Sequence, residues 1–338
     1  MIRFEQRVTD RWCFGRTLLC SLVLVISFCT ISIAQGGSPP NTPRQTQQRS
    51  TKSDEDEEVV RISSKLVVVP VSVTNAKGDP VLGLTMKDFI IEEEGRRQEI
   101  AQIGDPDQVP IELALLLDVS GSVKAKFDFE KEAAARFLRE VLKQNDRATI
   151  FAIDEEPRRI QERTAAEEAA QKVLSIEPAN KATAFYDTIA EAARYLERST
   201  PARHRRVIVV ISDGEDNHSE EYKSAAAALA EVQRADAVFY AINPSGQSIW
   251  LNKISTRGQE GMVQIAQATG GTTFLPNLLE DLEPAFRQIA AELRSQYLLQ
   301  YYSSVEAPEG TFRRIAVRVA ARPDLRVRAR QGYYVTSH

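Results

Sequence analysis

The feature that most constrains the fold is an alternation of apolar runs and helix-patterned segments between residues 110 and 295. The apolar runs are IELALLLD from Ile111, RATIFAI from Arg147, VIVVI from Val207 and AVFYAI from Ala237. Uninterrupted runs of this kind are typical of strands that a parallel sheet buries on both faces. The alternation therefore predicts several buried strands, each followed by a covering helix.

Between these runs, apolar residues recur at helical spacing, as they do at Phe129, Ala133, Phe137 and Val141. The predicted helices are Phe127–Lys143, Glu167–Leu174, Phe185–Leu196, Ser219–Gln233, Met262–Thr269 and Leu279–Leu293. Strands that alternate with helices predict an α/β fold with a doubly wound, mostly parallel, Rossmann-like sheet. We assign residues 110–295 to this domain.

Two shorter stretches on either side have strand character. Residues 59–109 contain the Val-rich run LVVVPVSVT and the turn NAKGDP, and residues 296–338 contain YLLQYY, FRRIAVRV and RVRARQGYYV. Neither stretch is long enough to bury a core alone. We therefore expect the two flanks to pack together as one small β-domain.

The first 58 residues predict export. Four arginines precede an uncharged apolar run from Thr17 to Ala34, which ends in small residues, so residues 1–34 are predicted to be a cleaved signal peptide. The alternative is an uncleaved membrane anchor formed by residues 17–34, whose length is at the lower limit for a span. Residues 35–58 are polar and acidic and predict a disordered linker. The expected location is the periplasm or the exterior, with membrane contact only if residues 17–34 remain.

Composition excludes several classes of function. The chain has three His and three Cys, and all three Cys lie in the first 30 residues, which removes most zinc, haem and thiol chemistry. Its formal net charge of −4 gives no indication of nucleic-acid binding. The motifs of P-loop enzymes, dinucleotide-binding enzymes and serine hydrolases are also missing from the sequence.

Hard oxygen donors follow the ends of two predicted strands and precede one helix. They are Asp118, Ser120 and Ser122 after the first run, Thr183 before the third helix, and Asp213 after the run from Val207. Because ligands bind at the carboxyl ends of parallel strands, we expect these five side chains to meet. Carboxylates and hydroxyls without imidazole or thiolate suit Mg²⁺ best, with Mn²⁺ or Ca²⁺ as alternatives.

These motif pieces resemble the von Willebrand factor A (VWA) family. DVSGS from Asp118 resembles the DxSxS signature of its metal-ion-dependent adhesion site, Thr183 occupies the place of the loop threonine, and Asp213 in SDG that of the late aspartate. The chain departs from the family pattern at Lys181-Ala182, where two glycines are common, and a lysine there would weaken metal affinity or replace a water. The flanks resemble bacterial, acidobacterial-type VWFA-related proteins.

The resemblance implies a non-enzymatic binding protein. Its metal ion would engage an Asp or Glu carboxylate of a protein partner, in adhesion or in protein–protein interaction at the cell envelope. A structural reading stays open, in which the protein is an envelope scaffold and the ion only rigidifies loops. No complete set of catalytic residues can be named from the sequence.

Two other charged groups have more ordinary interpretations. An acidic stretch suggests a second calcium site, but an acidic surface loop is the favoured interpretation; its members are Asp213, Glu215, Asp216, Asn217 and Glu220. Arg326, Arg328 and Arg330 alternate along one strand and are predicted to form a solvated face.

Overall fold

The structure, a computed structural model, describes residues 66–120, 126–179, 181–201, 203–247, 253–304 and 306–336. The predicted signal peptide, the linker and Ser122 lie outside these ranges. Within them, no helix combines the length and the apolar character that a bilayer span requires.

A six-stranded sheet forms the centre of the α/β part. Its order is β10-β9-β8-β5-β6-β7, and every pair is parallel except the antiparallel edge pair β6–β7. The strands are β5 (Ile111–Asp118), β6 (Arg147–Ile153), β7 (Pro157–Thr164), β8 (Arg205–Ile211), β9 (Ala237–Ile242) and β10 (Thr273–Phe274). The predicted α/β class with a mostly parallel sheet is confirmed.

Six helices cover the two faces of this sheet. They are α1 (Phe127–Val141), α2 (Ala166–Leu174), α3 (Phe185–Ser199), α4 (Ala225–Arg234), α5 (Lys253–Thr269) and α6 (Leu282–Ser295). Alternate residues of β5 lie on opposite faces of the sheet. Leu113 and Leu115 pack with α1, α2 and α6, whereas Ala114 and Leu116 pack with α3, α4 and α5. Burial on both sides explains why these strands appear as continuous apolar runs.

Three elements differ from their predictions. Helix α4 begins at Ala225, with Ser224 as its N-cap, six residues after the predicted start at Ser219. Helix α5 begins well before Met262. Strand β7, PRRIQERT, was not predicted, because an exposed edge strand rich in charge lacks the apolar run that marks the central strands.

The flanks form two antiparallel four-stranded sheets. One has the order β13-β1-β11-β4 and the other β14-β12-β2-β3. The strands are β1 (Leu66–Thr74), β2 (Phe89–Glu93), β3 (Arg96–Gln98), β4 (Ile100–Gly104), β11 (Tyr297–Tyr302), β12 (Phe312–Val319), β13 (Arg326–Ala329) and β14 (Gly332–Tyr334).

Each sheet combines strands from both flanks, which alternate in the first sheet and meet at the β12–β2 pair in the second. Val71 of β1 lies opposite Tyr297 on one side and Ala329 on the other, and Val317 of β12 lies opposite Ile91 of β2. Val69, Ile91, Leu299 and Tyr301 are fully buried in one core shared by the two sheets. The sequence on either side of the α/β part therefore builds shared sheets, as predicted.

The arginines of β13 do not form the predicted solvated face. Arg328 pairs at 2.6 Å with Glu292 of α6, whose side chain is 1% exposed. Arg330 is buried, donates to the Val68 carbonyl at 2.8 Å and pairs with Asp236. The prediction was wrong for Arg328 and Arg330 because the alternating pattern does not distinguish a face open to solvent from one that contacts another part of the chain.

Candidate metal site

Asp118 ends strand β5 at the carboxyl edge of the central sheet and is fully buried. One carboxylate oxygen accepts a hydrogen bond from the Ser120 backbone N–H at 2.9 Å, and the other from the Ser212 hydroxyl at 2.6 Å. Burial raises the pKa of Asp118 to about 6, although the Ser212 and Ser120 hydrogen bonds act in the opposite direction. No cationic side chain of the described residues forms an ion pair with this carboxylate.

Asp213 follows the neighbouring strand β8 and is also buried. Strands β5 and β8 are parallel neighbours, and Ser212, the residue before Asp213, donates to the Asp118 carboxylate, so both acids lie at the same edge. The charge of Asp213 opposes ionisation of Asp118 and raises its pKa. Ser120 is 7% exposed beside them. Asp118, Ser120 and Asp213 thus gather as the topology predicts, whereas Ser122 lies outside the described residues.

Thr183 is buried in the loop before α3 and is tied to the loop that follows Asp213. The Asn217 side chain accepts a hydrogen bond from the Thr183 N–H at 2.8 Å, and the backbone N–H groups of Asn217 and His218 both donate to the Thr183 carbonyl at 3.1 Å. Ala179 donates to the Val119 carbonyl at 2.6 Å and so connects the Thr183 loop to the first loop. The three predicted segments therefore form one hydrogen-bonded edge.

Acidic side chains that follow Asp213 accept hydrogen bonds from other parts of the chain. Asp216 accepts from the Phe185 N–H at 2.9 Å, and Glu215 accepts from the Ser255 hydroxyl. In the segment between this loop and α4, the backbone N–H groups of Glu220 and Tyr222 donate to the Asp187 carboxylate of α3. These bonds explain why α4 starts late, and they favour the surface-loop interpretation over a second calcium site.

Lys181 forms ion pairs with two acids that follow strand β6. Its ammonium lies 3.3 Å from Glu155 and 3.9 Å from Asp154, both in the turn between β6 and β7. The side chain is about half exposed. The departure from the family pattern therefore places its charge in an ion pair with that turn.

A close contact between two glycines sets the position of the Asp213 loop. Gly214 has a φ of +79°, and its carbonyl group lies directly against Gly258 of α5. A Cβ on Gly258 would overlap with that carbonyl, so only glycine allows this approach. Sequence reasoning missed Gly258, which lies before the predicted start of this helix at Met262, and its contact with Gly214 depends on the tertiary fold.

Glu130 was also missed, although it is the most unusual acidic residue near this edge. It lies in the first turns of α1, is 0% exposed, and neither carboxylate oxygen has a hydrogen-bond partner among the described residues. Burial raises the pKa of Glu130 to about 8, and the charges of Asp118 and Asp213 act in the same direction. The sequence did contain a sign of this burial: Glu130 lies on the apolar face of α1, between Phe127 and Ala134.

The donor set at this edge suits a hard divalent cation. Two buried carboxylates and the hydroxyls of Ser120 and Thr183 are oxygen donors, and a bound cation would stabilise the buried charge of the carboxylates. Among the described residues, no group of three or more His, Cys, Asp or Glu is arranged to hold a metal, so neutral hydroxyls and water would complete the coordination.

Comparison with known families identifies this part of the chain. Residues 113–215 match the family model of the von Willebrand factor type A domain, and the match includes all five predicted site residues. The chain therefore carries a VWA domain, as the order of its motifs predicted. No curated protein sequence matches the chain.

Several solved structures are similar to the chain at low sequence identity. An aerotolerance-related membrane protein from Bacteroides fragilis is 23% identical, covering 54% of this chain and 98% of its own, with a TM-score of 0.42. A von Willebrand factor type A protein from Catenulispora acidiphila is 13% identical, covering 82% and 75%, with a TM-score of 0.43. A proximal thread matrix protein from the mussel byssus with a zinc-occupied MIDAS motif is 13% identical, covering 58% and 48%, with a TM-score of 0.45.

Proposed function

We propose that the VWA domain binds a divalent cation, Mg²⁺ by preference, at the carboxyl edge of its sheet and uses it to bind a protein partner. Asp118, Ser120, Ser122, Thr183 and Asp213 are its ligands. The partner contributes an Asp or Glu carboxylate that completes the coordination shell. The protein acts as an exported, non-enzymatic binding protein in adhesion or in interactions at the cell envelope.

The observation that carries this proposal is the environment of Asp118. Asp118 is fully buried, burial raises its pKa to about 6, and no cationic side chain of the described residues forms an ion pair with it; a positive ligand would stabilise its ionised form. Mg²⁺ bound there would be neutralised by only two ligand carboxylates. An additional carboxylate from a partner would then form a short, charge-assisted contact.

The hydrogen bonds between the loops favour an anchoring ion over an ion that only rigidifies loops. Asn217 and Asp216 already hold the Thr183 loop against the Asp213 loop through backbone N–H groups. Two of the three loops thus have a protein framework that requires no metal. The remaining role for the ion is to bind an external group.

The experiment compares capture of envelope proteins by immobilised wild-type protein and by Asp118→Ala, each with Mg²⁺ and with EDTA. Proteins that bind the wild type in Mg²⁺, leave in EDTA and never bind the variant support the proposal. Circular dichroism in EDTA must show that both proteins stay folded. Capture that is equal in EDTA and Mg²⁺ would contradict it, and loss of capture together with unfolding would favour the structural ion.

A further inference from the structure

Helix α1 brings a third acidic residue to the carboxyl edge of the sheet. The chain leaves β5 at Asp118 and begins α1 at Phe127, so the first turns of α1 lie near the same edge. Glu130 lies in these turns, and its N–H donates to the Lys126 carbonyl at 3.0 Å. Its position is therefore set by the helix that directly follows the first loop.

The side chain of Glu130 lacks the partners that buried carboxylates normally have. It is 0% exposed, and both of its oxygens are without a hydrogen-bond partner among the described residues. The ammonium of Lys126, four residues earlier, donates to the Pro244 carbonyl at 3.0 Å; its charge lowers the pKa of Glu130, but less than burial and Asp118 raise it. Buried acids in proteins are almost always paired or bound to a metal, so this one indicates a missing positive ligand.

The electrostatic surroundings connect this carboxylate to the candidate metal site. Glu130 lies within interaction range of both Asp118 and Asp213. Three acidic groups at one buried edge repel one another, and a divalent cation beside them would convert that repulsion into attraction. An exposed acid would be screened by water and would contribute little.

We propose that Glu130 is a charge-compensating residue of the metal centre, which would favour the cation through its negative charge. The inference rests on the proposed function, because it requires a cation at Asp118. It adds a determinant of metal affinity that lies outside the DVSGS, Thr183 and Asp213 motifs. Its charge would help the site to retain the metal.

The test is Mn²⁺ binding to the full exported chain by isothermal titration calorimetry, with no partner present. Glu130→Gln keeps the size of the side chain and removes its charge, and we expect Mn²⁺ affinity to fall about 10- to 100-fold, the usual effect of losing a supporting group. Glu132→Gln is the matched control, because Glu132 is exposed two residues later on the same helix and should leave affinity unchanged. Glu130→Met is the second variant, since an apolar side chain suits the buried position and should show the same loss.

The outcomes separate this inference from the proposed function. If Asp118→Ala loses Mn²⁺ binding while Glu130→Gln and Glu130→Met bind as the wild type does, the role of Glu130 is overturned and the metal site stands. If Asp118→Ala itself binds like the wild type, the metal site is wrong. Thermal melts in EDTA establish that each variant is folded before its affinity is compared.

Discussion

Buried acidic residues at the two edges of the central sheet differ in whether a cationic side chain pairs with them. At the amino edge, Glu112 of β5 is 2% exposed and receives two hydrogen bonds from Arg163, at 2.7 and 3.0 Å, with His204 Nδ1 at 3.0 Å. At the carboxyl edge of the same sheet, Asp118 and Glu130 are equally buried, and no cationic side chain of the described residues forms an ion pair with either.

The contrast fits the proposed division between a structural edge and a binding edge. Arg163 compensates Glu112 within the chain. Buried acids without a cationic partner lower the stability of the free protein, and a cation that bound beside them would offset that cost. A carboxyl edge of this kind is where open α/β sheets bind ligands.

The largest expected effect is the pH dependence of stability in EDTA. Glu130 has a pKa raised from 4.5 to about 8, so the folded state holds a proton that the unfolded state releases between these values. The free energy of unfolding should therefore fall as pH rises through this window, by a few kcal/mol, since one pKa unit corresponds to about 1.4 kcal/mol. Urea titrations at several pH values measure it, and Glu130→Gln should flatten the curve. A wild-type curve that rises over the same window would contradict this prediction.

The next largest effect on stability is expected when the cation that pairs with Glu112 at the amino edge is removed. Arg163→Met removes both guanidinium hydrogen bonds to buried Glu112 and leaves its contact with His204. We expect a loss of about 3 kcal/mol in the free energy of unfolding, the lower end for breaking a buried pair, since Arg163 is itself partly exposed. Arg139→Met is the matched control: it breaks an equally bidentate pair with Glu167 on the surface. That variant should lose less than about 1 kcal/mol. Equal losses in the two variants would remove the distinction between buried and exposed pairs.

A smaller effect is expected from the glycine contact at the carboxyl edge. Gly258→Ala must push the Asp213 loop away from α5, which should cost about 1–3 kcal/mol and weaken Mg²⁺ binding as well. Gly95→Ala serves as a comparison for stability, because nothing lies within 4 Å of a Cβ there, although its φ of +75° also disfavours alanine. If Gly258→Ala binds Mg²⁺ with wild-type affinity, the glycine contact does not position Asp213.

The central strands and the positions of Asp118, Thr183 and Asp213 could be predicted because topology determines them. Fully buried parallel strands appear as apolar runs, and their carboxyl ends necessarily share one edge. Glu130 and Gly258 could not be predicted as parts of that edge, since each depends on a tertiary contact with another segment. The late start of α4 depends in the same way on Asp187, which lies more than 30 residues earlier.

The flanks also contain tertiary contacts that could not be predicted from the sequence. The need to bury apolar surface correctly predicted that residues on both sides of the VWA domain share a β-structure. Arg328, however, alternates with Val327 in a pattern that fits a solvated strand equally well. Its ion pair with Glu292 joins β13 to α6, which is a tertiary contact that the strand pattern does not contain.

The measurement that tests the central claim most directly is the stabilisation by Mg²⁺ of three proteins. Asp118→Ala removes the acid at the carboxyl end of β5. Asp146→Ala removes a buried acid beside the other end of the strand, where Asp146 accepts hydrogen bonds from the Ile111 and Lys143 N–H groups at 2.7 and 2.8 Å.

At a Mg²⁺ concentration of 100 times the dissociation constant, the wild type should gain about 2.7 kcal/mol in the free energy of unfolding. Asp146→Ala should start less stable than the wild type and gain the same increment, whereas Asp118→Ala should gain none. An equal Mg²⁺ increment in all three proteins would contradict a cation site at Asp118.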